Sequence, residues 1–236
     1  METILITGST SSIGEELAIS LSKRYRIILS GRDSSKLSKL KSQMYGENHL
    51  IWVCDFVKDN IGMSLLEFLN EFKIKPAHFL HVGGDFSISP IRLQKKEKTI
   101  ETFHINVFSA VEIVSVLSKK EFKKELKNIV FFSSISALRG KSGYAVYSAA
   151  KSSLIGLTKS LAVELNPIKV NCFVLGAIIT KATENILSDK EEILNSHIPL
   201  GLGKANALND WTSFLLDKNN WMTGQELIID GGATIL

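Results

Sequence analysis

Tyr147 and Lys151 stand four residues apart in the stretch AVYSAAKSSLIGLTKSLAVEL. On a helix that spacing is one turn, so both side chains leave from one face. A phenol titrates near pH ~10 and is a poor acid–base group at neutral pH. An ammonium one turn away stabilises the phenolate, lowers that value and makes proton transfer usable. Tyr144 precedes Lys151 by seven residues, about two turns, and receives much less of that field. Thirteen residues before Tyr147, Ser134 lies at the end of the apolar run NIVFFS. A hydroxyl there can hold a carbonyl oxygen while Tyr147 delivers a proton to it. Asn106, in FHINVFSAVEIV, is a polar amide among apolar residues of a helical pattern. Taken singly, a core tyrosine, a solvated lysine, a capping serine and a structural asparagine are the commoner fates. Their coincidence behind a nucleotide-type loop is what makes them candidates together.

The elements that must position them follow from hydrophobic pattern. Seven short runs are apolar on consecutive residues: TILIT, RIILS, LIWVC, AHFLHV, NIVFFS, KVNCFVL and ELIID. That suits strands buried on both faces. Between them lie amphipathic stretches such as IGEELAISLSKR and GMSLLEFLNEF. Pro76 and Pro167 mark helix stops. Alternating strand and helix imply right-handed crossovers and a parallel sheet. The expected fold is therefore α/β: one Rossmann-type domain over residues 1–236, a doubly wound parallel sheet of about seven strands with helices on both faces. Ligands of such sheets bind beyond the carboxyl ends of the strands.

The first such end reads TILITGSTSSIGEEL. Gly8 permits a sharp turn, Gly14 lets the helix approach the sheet, and free N–H groups at the helix start around Ser11, Ser12 and Ile13 suit a pyrophosphate. At the end of the second run, IILSGRD offers Gly31 and Arg32 where NAD-binding folds generally carry a carboxylate for the ribose 2′-OH. A guanidinium instead pairs with a 2′-phosphate. Asp33 reads as the N-cap of the next helix. NADP(H) is the expected cofactor, with NAD(H) as the alternative.

These features together resemble the short-chain dehydrogenase/reductase family along essentially the whole chain. The loop is similar to its TGxxxGxG signature, with Ser12 at the middle glycine. Asn106, Ser134, Tyr147 and Lys151 match its catalytic set in order and spacing, and the resemblance implies that Asn106 anchors a water extending the proton relay to the lysine. It implies that Asp55 of VCDF bonds the adenine amino group beside the backbone of Phe56. It also implies that Gly83 in LHVGGDF lies against the cofactor, with Val82 and Gly83 where Asn and Ala are usual. In VNCFVLGAIITKAT, Gly176, Ile178 and Thr180 match the segment that closes over the nicotinamide, with Leu175 in place of a proline. A substrate lid is expected at about residues 177–204, and pairing of the helices around Asn106 and Tyr147 implies a homo-oligomer, tetramer or dimer. The implied activity is an NADP-dependent oxidoreductase reducing a carbonyl to a secondary alcohol, similar to 3-oxoacyl-[acyl-carrier-protein] reductases. The alternatives are a reductase of a free small molecule, such as a sugar derivative or ketone, and a cofactor-binding regulator without catalysis.

Composition narrows the setting. The chain has 236 residues with a formal charge of +4, too slight to argue for nucleic acid. No basic-then-apolar leader is visible at METILITGST, and no membrane-spanning run of ~18 apolar residues is expected. Cys54 and Cys172 sit in strand-like runs and read as small buried hydrophobes, neither a disulfide framework nor a metal site. A cytoplasmic setting fits. Lys119, Lys120, Lys123, Lys124 and Lys127 form a basic cluster that can dock an acidic carrier protein, although such runs are more often a solvated face.

Overall fold

The computed structural model describes residues 1–180 and 197–235. Seven strands form one sheet: β1 Thr3–Thr7, β2 Arg26–Gly31, β3 Leu50–Val53, β4 His78–His81, β5 Asn128–Ser134, β6 Lys169–Leu175 and β7 Glu226–Ile229. Their order is β3-β2-β1-β4-β5-β6-β7, and every pairing is parallel. Each strand falls on one of the apolar runs to within a residue at either end. Consecutive strand residues feed opposite faces. Leu5 joins one core with Phe79 and Phe131, while its neighbours Ile4 and Ile6 join the other with Leu80, Val130 and Phe132. Both faces must therefore be covered, and the helices cover them.

The first face carries α1 Ser12–Ser22, α2 Ser34–Lys41 and α8 Asn209–Leu216. The second carries α3 Ile61–Glu71, α5 Ser109–Leu117, the short α6 Lys120–Lys123 and α7 Ala145–Glu164. Helix starts are set by local side chains. Ser11, Asp33 and Asn60 each accept a hydrogen bond from the backbone N–H three residues on, at 3.1, 3.0 and 3.0 Å. Such caps contribute ~1 kcal/mol apiece.

The helix before β5 is interrupted. α4 Lys96–Phe103 runs into a π turn, His104–Phe108, before α5 begins. The continuous stretch Lys96–Leu117 is long and apolar enough by composition to cross a membrane, which corrects the expectation that no such segment exists. Its apolarity has a local cause: α5 packs beside α3 in the core on that face of the sheet, burying Ala110, Ile113, Val114 and Leu117.

Candidate active site

The chain reverses its direction of winding between β1 and β4, and the loops after these two strands meet there. A Cβ on Gly8 would lie 2.6 Å from the Cα of Gly83, and Gly8 has φ +63°. A Cβ on Gly14 would lie 2.2 Å from the carbonyl oxygen of Gly8. Both glycines are thus needed for backbone to approach backbone, which leaves a cradle lined by main chain. Ser11 spends its hydroxyl on the cap of α1, and Ser12, Ile13 and Gly14 form the first turn of that helix. The loop is tied to β2 as well, since Ser9 exchanges hydrogen bonds with Ser30.

Gly83 differs from those two. A Cβ there would find Thr7 Oγ1 at 3.4 Å, Phe56 Cε2 at 3.5 Å and Gly8 N at 3.6 Å, ordinary contacts without a positive φ. Gly83→Ala is expected to stabilise the protein by ~0.4–1 kcal/mol through the unfolded chain. Thermal unfolding would register this as a rise of roughly 1–4 °C; a fall would mean the loop needs glycine.

Arg32 stands exposed just past β2. Asp33 beside it is occupied, capping α2 through Lys36 N at 3.0 Å, as expected. Asp55 is a turn former in this structure. Its Oδ1 accepts from Val57 N at 3.0 Å, and its own N–H donates to Asp59 at 2.7 Å. Phe56 packs its ring between Trp52 and His81. Gly176 lies tight against β7, where a Cβ would come within 2.5 Å of the Asp230 Cα. Leu175 continues the ladder between Ser134 and Ile229, and Ile178 is buried and bridges to Gly203. Thr180 is the last described residue of this segment; residues 181–196 of the expected lid lie outside the described residues.

The four acid–base candidates converge on the carboxyl ends of β4 and β5. Ser134 ends β5, and its hydroxyl accepts from Ser136 N at 3.2 Å. α7 is pinned onto that strand at Lys151. The Lys151 ammonium donates to the Phe132 carbonyl at 2.9 Å, and the Ser133 hydroxyl donates to the Lys151 carbonyl at 2.8 Å. Asn106 is fully buried in the π turn. Its Nδ2 donates to the carbonyls of Thr102 at 2.9 Å and Asp85 at 3.2 Å. That fixes the amide and turns Oδ1 towards Lys151: a Cβ on Gly84 would lie 3.0 Å from both Asn106 Oδ1 and Lys151 Nζ.

One electrostatic expectation is overturned. Burial pushes the Tyr147 phenol up to about 12, with Ser134 opposing that rise and Tyr144 and Asp85 adding to it. The Lys151 ammonium does not offset that rise. It lies 5.9 Å from the ring centre, commits a proton to the Phe132 carbonyl, and is itself pulled down to about 8 by burial. In the protein alone, desolvation outweighs the charge one turn away.

Several residues at this centre escape reading by motif. Phe86 stands edge-on to Tyr147 at 5.1 Å and to Tyr144 at 5.7 Å, forming an aromatic wall around the phenol. Tyr144 is part of that wall, with the Lys141 ammonium 4.8 Å from its ring centre. Asp85 is held by Thr102 and Lys98. Asp85 and Phe86 directly follow the β4 glycines, so the strand-end rule was the signal that points to them. By contrast, the lysine cluster lies at the wrong end of the sheet to serve this centre. Lys119, Lys120 and Lys124 line a cleft with Lys75, beside the start of β5, whereas Ser134 is its last residue. A carrier docked on those lysines faces away from Tyr147.

Known proteins were compared with this arrangement. The family model described as "Enoyl-(Acyl carrier protein) reductase" matches residues 8–234. The chain is 31% identical over 232 residues to the 3-oxoacyl-[acyl-carrier-protein] reductase of Mus musculus, covering 96% of this chain and 95% of that protein. Among solved structures, ElxO with NADP bound superposes with a TM-score of 0.89 at 25% identity, covering 100% of this chain and 99% of that one. A 4-hydroxyisoleucine dehydrogenase complexed with NADH superposes at 0.92 and 24% identity, covering 100% of both chains. With a family model spanning nearly every described element of the site, the chain belongs to the short-chain dehydrogenase/reductase family, oxidoreductases of carbonyl and alcohol groups.

Proposed function

We propose that this protein is an NADP(H)-dependent reductase that converts a carbonyl to a secondary alcohol. The observation that carries the reading is the convergence of Ser134, Tyr147, Lys151 and Asn106 on one point beside a main-chain cradle that side chains would fill. The cradle fits a dinucleotide. Gly8, Gly14 and the first turn of α1 would hold its pyrophosphate, with Ser12, Ile13, Gly83, Asp55, Phe56, Gly176, Ile178 and Thr180 along its course. When bound, the nicotinamide supplies or accepts the hydride.

The chain's own groups handle the oxygen and the proton. Ser134 orients the carbonyl oxygen with its hydroxyl. Tyr147, protonated through the neutral range, donates its phenolic proton to that oxygen as negative charge develops there. Lys151 and Asn106 then return a proton to the phenolate. Asn106 Oδ1 is a buried acceptor without a hydrogen-bond partner among the described residues, and a bridging water between it and the Lys151 ammonium suits that path. Phe86 and Tyr144 exclude bulk water from the phenol. The aromatic wall favours a substrate with an apolar flank, consistent with a 3-oxoacyl thioester; a free ketone or sugar derivative is the second reading. We place the enzyme in the cytoplasm, and we read it as a homo-oligomer because Phe108 at the end of the π turn, Val111 of α5 and Val163 of α7 expose apolar surface.

A panel of ketones and 3-oxoacyl thioesters, followed at the nicotinamide absorbance with NADPH, tests the activity. Reduction of no member, with NADPH bound, would instead favour a cofactor-binding regulator. Arg32→Ala tests the cofactor. One charge-assisted contact to a 2′-phosphate gives an expected 10- to 100-fold weaker NADPH affinity, about 1.5–3 kcal/mol, with NADH affinity unchanged. An unaltered NADPH/NADH ratio in a fluorescence titration overturns the preference.

A further inference from the structure

Three strands end side by side at the candidate site. Ser134, the last residue of β5, pairs with Leu175 of β6, and Leu175 pairs with Ile229 of β7. The turn after β7, residues 230–234, is built around one carboxylate. Asp230 accepts from Gly232 N at 2.9 Å and from Thr234 N at 2.7 Å. Two other stretches of chain pack on that turn. Gly176, just past β6, lies so near that a Cβ on it would stand 2.5 Å from the Asp230 Cα. Residues 198–201 come back onto it, with Leu200 N donating to the Gly231 carbonyl at 3.0 Å and the Pro199 ring against Gly232. The stretch after β5 is joined to the same turn by a side chain. Residues 134–139 fold back on themselves: Ser134 Oγ accepts from Ser136 N at 3.2 Å, and Leu138 N and Arg139 N both donate to the Ile135 carbonyl at 3.0 Å. The Ser152 hydroxyl of α7 donates to the Ala137 carbonyl at 3.2 Å. At the far end, the Arg139 guanidinium donates to the Ala233 carbonyl. Because β6 lies between β5 and β7, this bond reaches over one intervening strand, about 10 Å at a strand spacing of ~4.8 Å.

We propose that Arg139 is a positioning residue for the carbonyl substrate: by bonding the turn after β7 it fixes the turn that carries Ser134, and so sets where the Ser134 hydroxyl meets the substrate oxygen. This rests on the reading of Ser134 as the group that orients the carbonyl. The Ser134 backbone is held by the β5–β6 ladder, but its hydroxyl belongs to the turn. It accepts from Ser136 N and donates to Ser136 Oγ at 3.3 Å. The direction of that hydroxyl therefore follows the turn. Leu138, Arg139 and Gly140 are exposed, and an exposed turn with few buried contacts opens readily. A side chain long enough to cross β6 removes that freedom. A tether that serves overall stability alone predicts equal damage with or without the Ser134 hydroxyl. One that acts through Ser134 predicts damage only while the hydroxyl is present.

A double-substitution cycle on the full chain decides between them. Arg139→Met keeps the stem and removes the donors, whereas Arg139→Lys keeps a donor on a stem of similar reach. Turnover is followed with NADPH and acetoacetyl-coenzyme A, a 3-oxoacyl thioester, or with the best-reduced ketone of the panel if the parent leaves that thioester untouched. Fluorescence titration gives NADPH affinity. Arg139→Met is expected to lower kcat/KM by about 10- to 100-fold, the scale of a small misplacement, with NADPH affinity within about twofold of the parent. Ser134→Ala alone is expected to lower it about 100-fold, as loss of one donor to a developing oxyanion does. In the Ser134→Ala background, Arg139→Met should add a loss of less than about threefold, because the two act as a unit. Arg139→Lys should stay within about threefold of the parent. Unchanged kcat/KM in Arg139→Met, the same loss with and without the Ser134 hydroxyl, NADPH affinity falling in step with kcat/KM, or lysine as impaired as methionine overturns the proposal. Arg139→Gln, too short to reach Ala233, takes the place of methionine if that variant does not fold, with the same expectations. Unchanged kcat/KM in Ser134→Ala sinks the reading of Ser134 and this proposal with it; additive losses sink the proposal and leave that reading standing.

Discussion

Tyr147→Phe is expected to reduce turnover by about 10²–10⁴-fold, the usual contribution of a positioned acid, while cofactor affinity stays within about twofold of the parent. The substitution removes one oxygen and little else. The ring keeps its edge-on contact with Phe86 at 5.1 Å and with Tyr144 at 6.3 Å, so the wall of the site survives. What is lost is the only proton on that ring able to reach an oxygen held by Ser134. Tyr144→Phe removes the same atom from the neighbouring ring, and its expected loss is within about threefold. Tyr144 lies before the first turn of α7 and touches Phe86 and Lys141 through its ring face and edge. Parallel measurements with NADPH and the carbonyl panel separate the two. Equal losses from both variants would remove Tyr147 from its special place.

How far this site was legible in the sequence differs from residue to residue. The strands were legible because a sheet covered on both faces forces consecutive apolar residues, and all seven runs carry that mark. Tyr147 and Lys151 were legible because a helix converts four residues into one face. The direction of the phenol's shift was not. Helical spacing says which groups are neighbours, but not that Lys151 Nζ turns to the Phe132 carbonyl, nor that burial dominates. Asp55 shows the same limit, since a strand-end carboxylate can serve its own turn as well as a ligand, and the sequence does not say that its Oδ1 accepts from Val57 N.

The π turn at Asn106 was illegible for a different reason. One extra residue in a helical turn leaves the apolar periodicity on both sides nearly intact, so HINVF reads as ordinary helix. Yet it is this turn, with the Asp85 carbonyl, that aims the amide. His81 belongs to the same category. It is fully buried on β4, bonds Thr7 Oγ1 at 2.9 Å and is held neutral, its value pulled down to about 3 by burial and by Lys151. A histidine in an apolar run gives no sign of whether it will face water, metal or a hydroxyl.

Lys151→Met is expected to trade activity for stability, and the trade has a pH signature. An unstrained lysine titrates at 10.5, and burial brings Lys151 down to about 8. The unfolded chain therefore holds more protons than the folded one between those two values, so folding stability rises with pH across that window. Below pH ~8 both states are protonated and the folded protein carries the whole cost of a desolvated ammonium, about 3 kcal/mol. Above pH ~10.5 that cost is gone. Methionine keeps the length of the stem without the charge. It forfeits the bond to the Phe132 carbonyl at 2.9 Å, worth ~1 kcal/mol. The net expectation for the cofactor-free protein at pH 7 is a gain of about 2 kcal/mol, seen as roughly 4–8 °C in thermal midpoint. That gain should shrink as pH rises through 8 and disappear by about pH 10. Turnover should fall as steeply as in Tyr147→Phe, because the relay then ends at a thioether. Denaturant unfolding at pH 7 and pH 10 decides it. A variant less stable than the parent at pH 7, or a gap that does not narrow with pH, would mean that the buried ammonium is not the strained group of this fold.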